Sequence, residues 1–264
     1  MKKNYLIINY LNLIGKKIIN LIINIGNAGI LLKQIILNSF IIKREKKVFI
    51  KHIYFIGVLS LGIIIISGLF IGMVVGLQGY HILKKFGTEE IIGQMTALSI
   101  IRELGPVISA LLFIGRTGTS LTAEMCVMKS TDQIASMEMM GIDPIKKLIT
   151  PRFFASIVSM IFLSIIFITV SILGSYLSTV SWLGVDSNMF WISIKENIDF
   201  KIDILNAFIK SIIFGFIITW ISIFQGLTSN PTAEGTAIST TNTVVYSTFV
   251  ILFLNFFLTA IMFK

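Results

Sequence analysis

Charge is scarce in this chain: 13% of its residues are Asp, Glu, Lys or Arg, against 55% hydrophobic, and the mean hydropathy is +0.90. A soluble domain of 264 residues needs far more polar surface, so lipid is the main solvent. The single cysteine, Cys126, excludes an intramolecular disulfide and any multi-cysteine metal site, and its apolar neighbours favour inert packing. Catalytic signatures are also missing. The one Gly-Lys pair, Gly15-Lys16, lacks the upstream glycine and the following Ser or Thr of a phosphate-binding loop. There is no GxSxG elbow and no HExxH, and the two histidines, His52 and His81, sit at opposite ends of one apolar stretch. The net charge of +9 does not point to nucleic acid, because ten of the 22 Lys and Arg lie within residues 1–51 and no polar domain presents them to a duplex.

What remains is a set of long apolar runs. Charge-free stretches at 53–80, 153–185, 211–233 and 235–263 each suffice for a transmembrane helix of about 20 residues. A further run at 91–126 is interrupted by Arg102, Glu103, Arg116 and Glu124 and reads as a fifth span. The expected fold is all-α: a polytopic membrane protein of five transmembrane helices, with residues 1–50 as an N-terminal interfacial helical segment and 51–264 as the membrane domain. The N-terminal stretch is broken by Asn9, Asn12, Gly15, Lys16 and Lys17, which argues against a cleaved signal and keeps it in the mature chain. The Lys43-Arg44-Glu45-Lys46-Lys47 run closes it. Residues 1–52 carry ten basic side chains, and 127–152 carries Lys129, Lys146, Lys147 and Arg152, whereas 78–90 and 186–203 carry two each. By the positive-inside rule the N-terminus and the 127–152 connection are cytoplasmic, and five spans then place Lys264 outside.

Within the first span Gly68, Gly72 and Gly76 recur every four residues, a small-residue ridge that lets another helix approach closely. Val75, Gly79, Ile82 and Phe86 form an apolar stripe toward the external end, suited either to an acyl-chain path or to core packing. In the second span Glu103 and Glu124 are 21 residues apart, about 31 Å along an α-helix, so they can bracket the hydrocarbon core. Gly105 and Pro106 predict a kink directly after Arg102-Glu103. That pair has two readings, an anionic headgroup site with Glu103 orienting Arg102, or interhelical ion partners. Arg116 and Glu124 read as structural, pairing with each other or with the cytoplasmic connection. In that connection Asp132, Glu138, Asp143 and Pro144 surround Met137, Met139 and Met140, as in a short amphipathic helix outside the bilayer whose flexible Met side chains fill a partner's groove.

RELGP at 102–106, GRTGTSLTAEM at 115–125, SMEMMGIDP at 136–144, PRF at 151–153 and GMVVGLQGY at 72–80 occur in one order that resembles the MlaE permease family of ATP-binding cassette lipid transporters. The resemblance covers residues 55–263. It implies a homodimer of five-span subunits in the inner membrane of a bacterium with two membranes, moving phospholipid between them and so maintaining outer-membrane lipid asymmetry. It implies no cofactor on the chain itself, since ATP is bound by a cytoplasmic ABC ATPase. That ATPase docks on the 130–147 segment through Asp132, Glu138, Met139, Asp143 and Pro144. A STAS-domain protein and a periplasmic MCE-domain hexamer complete the implied assembly. Its lipid path maps onto Val75, Ile82, Leu83, Phe86, Arg102, Glu103 and Leu104. One departure stands out: where the family commonly has two basic residues near the start of the last span, this chain has Ile238 and Asn242. Two other function classes remain in play, a lipid-modifying membrane enzyme using Glu103 as acid or base, and an ion-gradient carrier with Arg116 and Glu124 as relay.

Overall fold

A computed structural model describes residues 2–38 and 46–262. Lys43, Arg44 and Glu45 of the basic run, and Lys264, on which the outside placement of the C-terminus was drawn, lie outside the described residues. Apolar runs without water must satisfy their backbone internally, and every one of them is helical. Among the described residues, five helical spans are long and apolar enough to cross a membrane: I (Lys46–Phe86), II (Glu89–Ser130), III (Ile145–Trp182), IV (Lys201–Thr228) and V (Ala233–Met262). The count matches the five apolar runs, but the ends do not. Span IV begins ten residues before the charge-free stretch, because Lys201, Asp203 and Lys210 are folded into it.

Spans I and III form the tightest seam. A Cβ on Gly72 would run into the Ser171 backbone, and one on Gly76 would meet Ser175 and Ser178. Span III answers with its own gap, since a Cβ on Gly174 would strike the Leu69 carbonyl. Small residues on both helices therefore bring the backbones together, and close dispersion contact replaces the hydrophobic drive that lipid removes. Ile64, Phe113, Ile114, Met160, Phe167, Phe214 and Ile218 fill the centre where spans I to IV meet. Span V is the most peripheral: it buries Gly235, Ser239, Thr243, Ser247 and Ile251, one every four residues, and exposes Phe249 and Phe256. Thr243 and Thr122 share a hydroxyl hydrogen bond of 2.9 Å across the II–V contact.

The N-terminal helix, Lys2–Leu37, docks on this bundle through buried Ala28 and Ile35. Ile35 packs with Met125, Ile149, Phe153 and Ile223, and the Trp220 indole donates to the Ala28 carbonyl at 3.0 Å. Lys16 and Lys33 stay exposed. At the same end of the bundle Lys129 donates to the carbonyls of Leu227 and Ser229, at 2.8 and 2.7 Å, joining the end of span II to the turn between spans IV and V. At the opposite end a helix at Ser187–Asn197 begins on Asp186, whose carboxylate accepts from the Asn188 amide at 2.8 Å. Its Phe190 packs with Tyr80, Leu83 and Ile92.

Candidate functional site

Span II is not a plain α-helix. It widens into π-helical turns at Ile100–Leu104 and Ile114–Gly118, the two stretches that carry Arg102-Glu103 and Arg116. The first has a direct cause. In an α-helical ladder the residue 106 amide would donate to the Arg102 carbonyl, but Pro106 has no N–H. Where the sequence predicts a kink at Gly105-Pro106, the structure shows a widened turn just before it, with the Gly105 amide reaching back to the Ile100 carbonyl. Gly105 fits because a Cβ there would collide with the Ile168 side chain.

The bulge turns Arg102 and Glu103 into a charged cluster. The Arg102 Nε donates to Asp203 Oδ1 at 2.6 Å, and Asp203, fully buried, takes the Asp199 amide on its other oxygen at 2.9 Å. The Glu103 carboxylate accepts from Asn255 Nδ2 at 3.0 Å and lies 3.7 Å from the Lys210 ammonium. Lys210, with a side chain 0% exposed, also donates to the Arg102 carbonyl and to the Thr259 hydroxyl, each at 2.8 Å. Two cations and two anions balance, which is how four charges persist in a low-dielectric interior. The ion-partner reading of Arg102-Glu103 is therefore part of the structure. Their side chains nonetheless remain 37% and 39% exposed, so each presents a face outward while the charged partners Asp203 and Lys210 are buried.

Lys210, Asp203 and Asn255 were not singled out from sequence. The available signal was their position: a lysine, an aspartate and an asparagine flanking or inside apolar runs are costly unless they face protein. Drawing span IV from residue 211 placed Lys210 just outside it.

The apolar part of the expected path divides. Phe86 is 75% exposed and Ile82 also points outward, Val75 and Leu104 are half-buried, but Leu83 turns inward against Tyr80, Ile92 and Phe190. Leu83 is one residue from Ile82, about 100° around the helix, which puts it on the other face.

Arg116 and Glu124 do not pair with each other. Arg116 Nη1 donates to the carbonyls of Phe55 and Ile56 and to the Ser60 hydroxyl, at 3.1, 3.3 and 2.9 Å. Those carbonyls end the helix Lys46–Ile56, so Arg116 supplies the cap where span I changes pitch at Val58–Ser60. Glu124 instead meets Arg152 of the PRF stretch at 2.8 Å, and Arg152 Nε also donates to His52 Nε2 at 3.3 Å. With Arg116 bound to backbone and Glu124 to a buried arginine, they form no continuous relay.

The II–III connection holds a seven-residue helix, Gln133–Met139, with no buried residue. Asp132 enters it in the left-handed region at φ 54°, and Gly141 leaves it at φ 73°. Asp143 Oδ1 accepts from the Ile145 amide at 2.9 Å and Pro144 is buried, so these two shape the return into span III. Glu138 is exposed and Met139 is 83% exposed, which leaves both available to a partner.

Similarity to known proteins follows the same frame. The family described as Permease MlaE matches residues 49–261, which is all of the five spans and their connections but three residues at the start of span I and one at the end of span V. The chain belongs to the MlaE permease family. It is 46% identical over 258 residues to the intermembrane phospholipid transport system permease protein MlaE of Haemophilus influenzae, covering 98% of this chain and 99% of that one. A probable ABC transporter permease protein of Rickettsia typhi is 34% identical over 98% of this chain and all of its own length. The chloroplastic protein trigalactosyldiacylglycerol 1 of Arabidopsis thaliana is 35% identical over 78% of this chain and 58% of its own. Membership of the MlaE family makes this chain a membrane-embedded transport component and not an enzyme, which removes the reading of Glu103 as a lipid-modifying acid or base.

Proposed function

We propose that this chain is the transmembrane permease subunit of an ATP-binding cassette system that moves phospholipids between the inner and outer membranes of a bacterium. The observation that carries the reading is near-full-length similarity to a phospholipid transport permease, with the charged cluster set in the family's RELGP stretch. The working unit is a homodimer, and its outward cavity is bounded by Val75, Ile82 and Phe86 of span I and by Arg102, Glu103 and Leu104 of span II. The guanidinium suits phosphate oxygens. Asp203 keeps it oriented, Glu103 is held beside it by Lys210 and Asn255, and the exposed apolar residues accept acyl chains. Leu83 supports this wall from behind.

ATP is bound and hydrolysed by a separate cytoplasmic ATPase that docks on Asp132–Pro144, with a STAS-domain protein beside it and an MCE-domain hexamer on the periplasmic side. The N-terminus is cytoplasmic and the C-terminus periplasmic, as the basic residues direct. Proteoliposomes holding this chain and its ATPase test the reading: ATP-dependent transfer of labelled phospholipid to an acceptor supports it. Transfer that persists without the ATPase and collapses with an uncoupler would replace it with a gradient-driven carrier.

A further inference from the structure

At the end of the bundle that carries the II–III connection, a cavity of about 680 Å³ opens between the N-terminal helix, span IV and span V. Three amide side chains face it from three different helices: Asn24, Gln225 and Asn242. Trp220 and Tyr246 form its aromatic walls and Val250 continues its apolar floor. None of the three amides makes a side-chain hydrogen bond to the protein among the described residues. Asn24 is exposed and Gln225 and Asn242 are half-buried, so all three keep their donors free for an acceptor that enters this space.

Depth and charge narrow that occupant. Gln225 lies one turn from the end of span IV at Thr228, and Asn242 lies nine residues into span V from Ala233. At 1.5 Å per residue this spreads the amides over roughly 5 to 14 Å of depth, the zone where headgroups give way to acyl chains. Tyr and Trp are the side chains that favour that zone. Among the described residues no charged side chain lines the cavity, and Lys33 on the same N-terminal helix is exposed outside it. Neutral donors at this depth match the ester carbonyls of a glycerolipid, and the volume falls within the range of ordinary ligand pockets.

We propose that this cavity holds one glycerophospholipid of the leaflet on the side of the II–III connection, its glycerol esters accepting hydrogen bonds from Asn24, Gln225 and Asn242 and one acyl chain lying along Tyr246 and Val250. The site stands apart from the Arg102-Glu103 cluster at the far end of the bundle and does not depend on the transport reading. Its lipid ties the N-terminal helix to spans IV and V, beside the Trp220 to Ala28 hydrogen bond.

The test uses the full chain in detergent with Trp182→Phe and Trp191→Phe, so that Trp220 is the sole indole. Phosphatidylcholine brominated on its acyl chains is titrated in, and Trp220 fluorescence is read. Saturable quenching is expected, with a midpoint about tenfold lower than in the Asn24→Leu/Gln225→Leu/Asn242→Leu variant. Val250→Phe, which fills the floor and leaves the amides intact, is expected to raise the midpoint as well. One curve shared by all three proteins would overturn the proposal. Absence of quenching in the parent would overturn it too, because a protein segment, from a second copy or another subunit, would then occupy the space.

Discussion

The Lys210 ammonium lies 2.8 Å from the Arg102 carbonyl oxygen, the acceptor that Pro106 is unable to serve. A buried cation from span IV thus completes the backbone of span II at the point where the helix widens to present Arg102 and Glu103. Chain chemistry, local pitch and charge placement meet in one contact.

The first prediction follows from that contact. Lys210→Met should leave the Arg102 carbonyl and the Glu103 carboxylate short of a donor, lowering stability by about 2–3 kcal/mol for the hydrogen bonds to buried groups. Because Glu103 is more than a third exposed, its ion pair adds little beyond this. Thermal unfolding in detergent should show the loss, and Lys210→Arg should recover part of it. An unchanged midpoint in Lys210→Met would mean that the cluster does not hold the bulge.

Two glycines of span I should behave in opposite ways. At Gly72 an alanine Cβ meets the Ser171 backbone, and neither helix can yield without moving the seam, so Gly72→Ala should cost about 1–3 kcal/mol. At Gly62 nothing lies within 4 Å, and the alanine should be neutral or gain a few tenths of a kcal/mol from lower backbone entropy in the unfolded state. Denaturation of the two variants side by side separates packing from helix propensity.

The helix at Gln133–Met139 predicts function lost without stability lost. Met139→Ala and Glu138→Lys alter exposed side chains, so each should stay within about 0.5 kcal/mol of the parent. Both should reduce copurification of the ATPase and ATP-dependent lipid transfer together. Retained coupling with normal stability would move the docking surface elsewhere.

Much of this was readable in the sequence, for physical reasons that also mark where reading stops. Gly68, Gly72 and Gly76 were legible because a helix repeats nearly every four residues and their partner needs only to be another small-residue face. Arg102 and Glu103 were legible as charges inside an apolar run. Their partners were not: Asp203, Lys210 and Asn255 are 101 to 152 residues away, and span boundaries drawn to exclude charge hid the first two. Arg116 shows a second limit, since two of its partners are backbone carbonyls, which every residue has and no side-chain pattern announces. Leu83 shows a third, because a stripe counted along a helix says which residues share a face and not which face the bundle covers.

Passage of phospholipid along the exposed faces of Arg102 and Glu103 is open to site-specific photo-crosslinking. A benzophenone amino acid placed at Leu104, beside the pair, and in a second protein at Phe162, an exposed position on span III, is irradiated with labelled phospholipid in the ATPase-containing assembly. Labelling at Leu104 should change when ATP is added, against constant background labelling at Phe162. Equal labelling at both positions, indifferent to nucleotide, would contradict it.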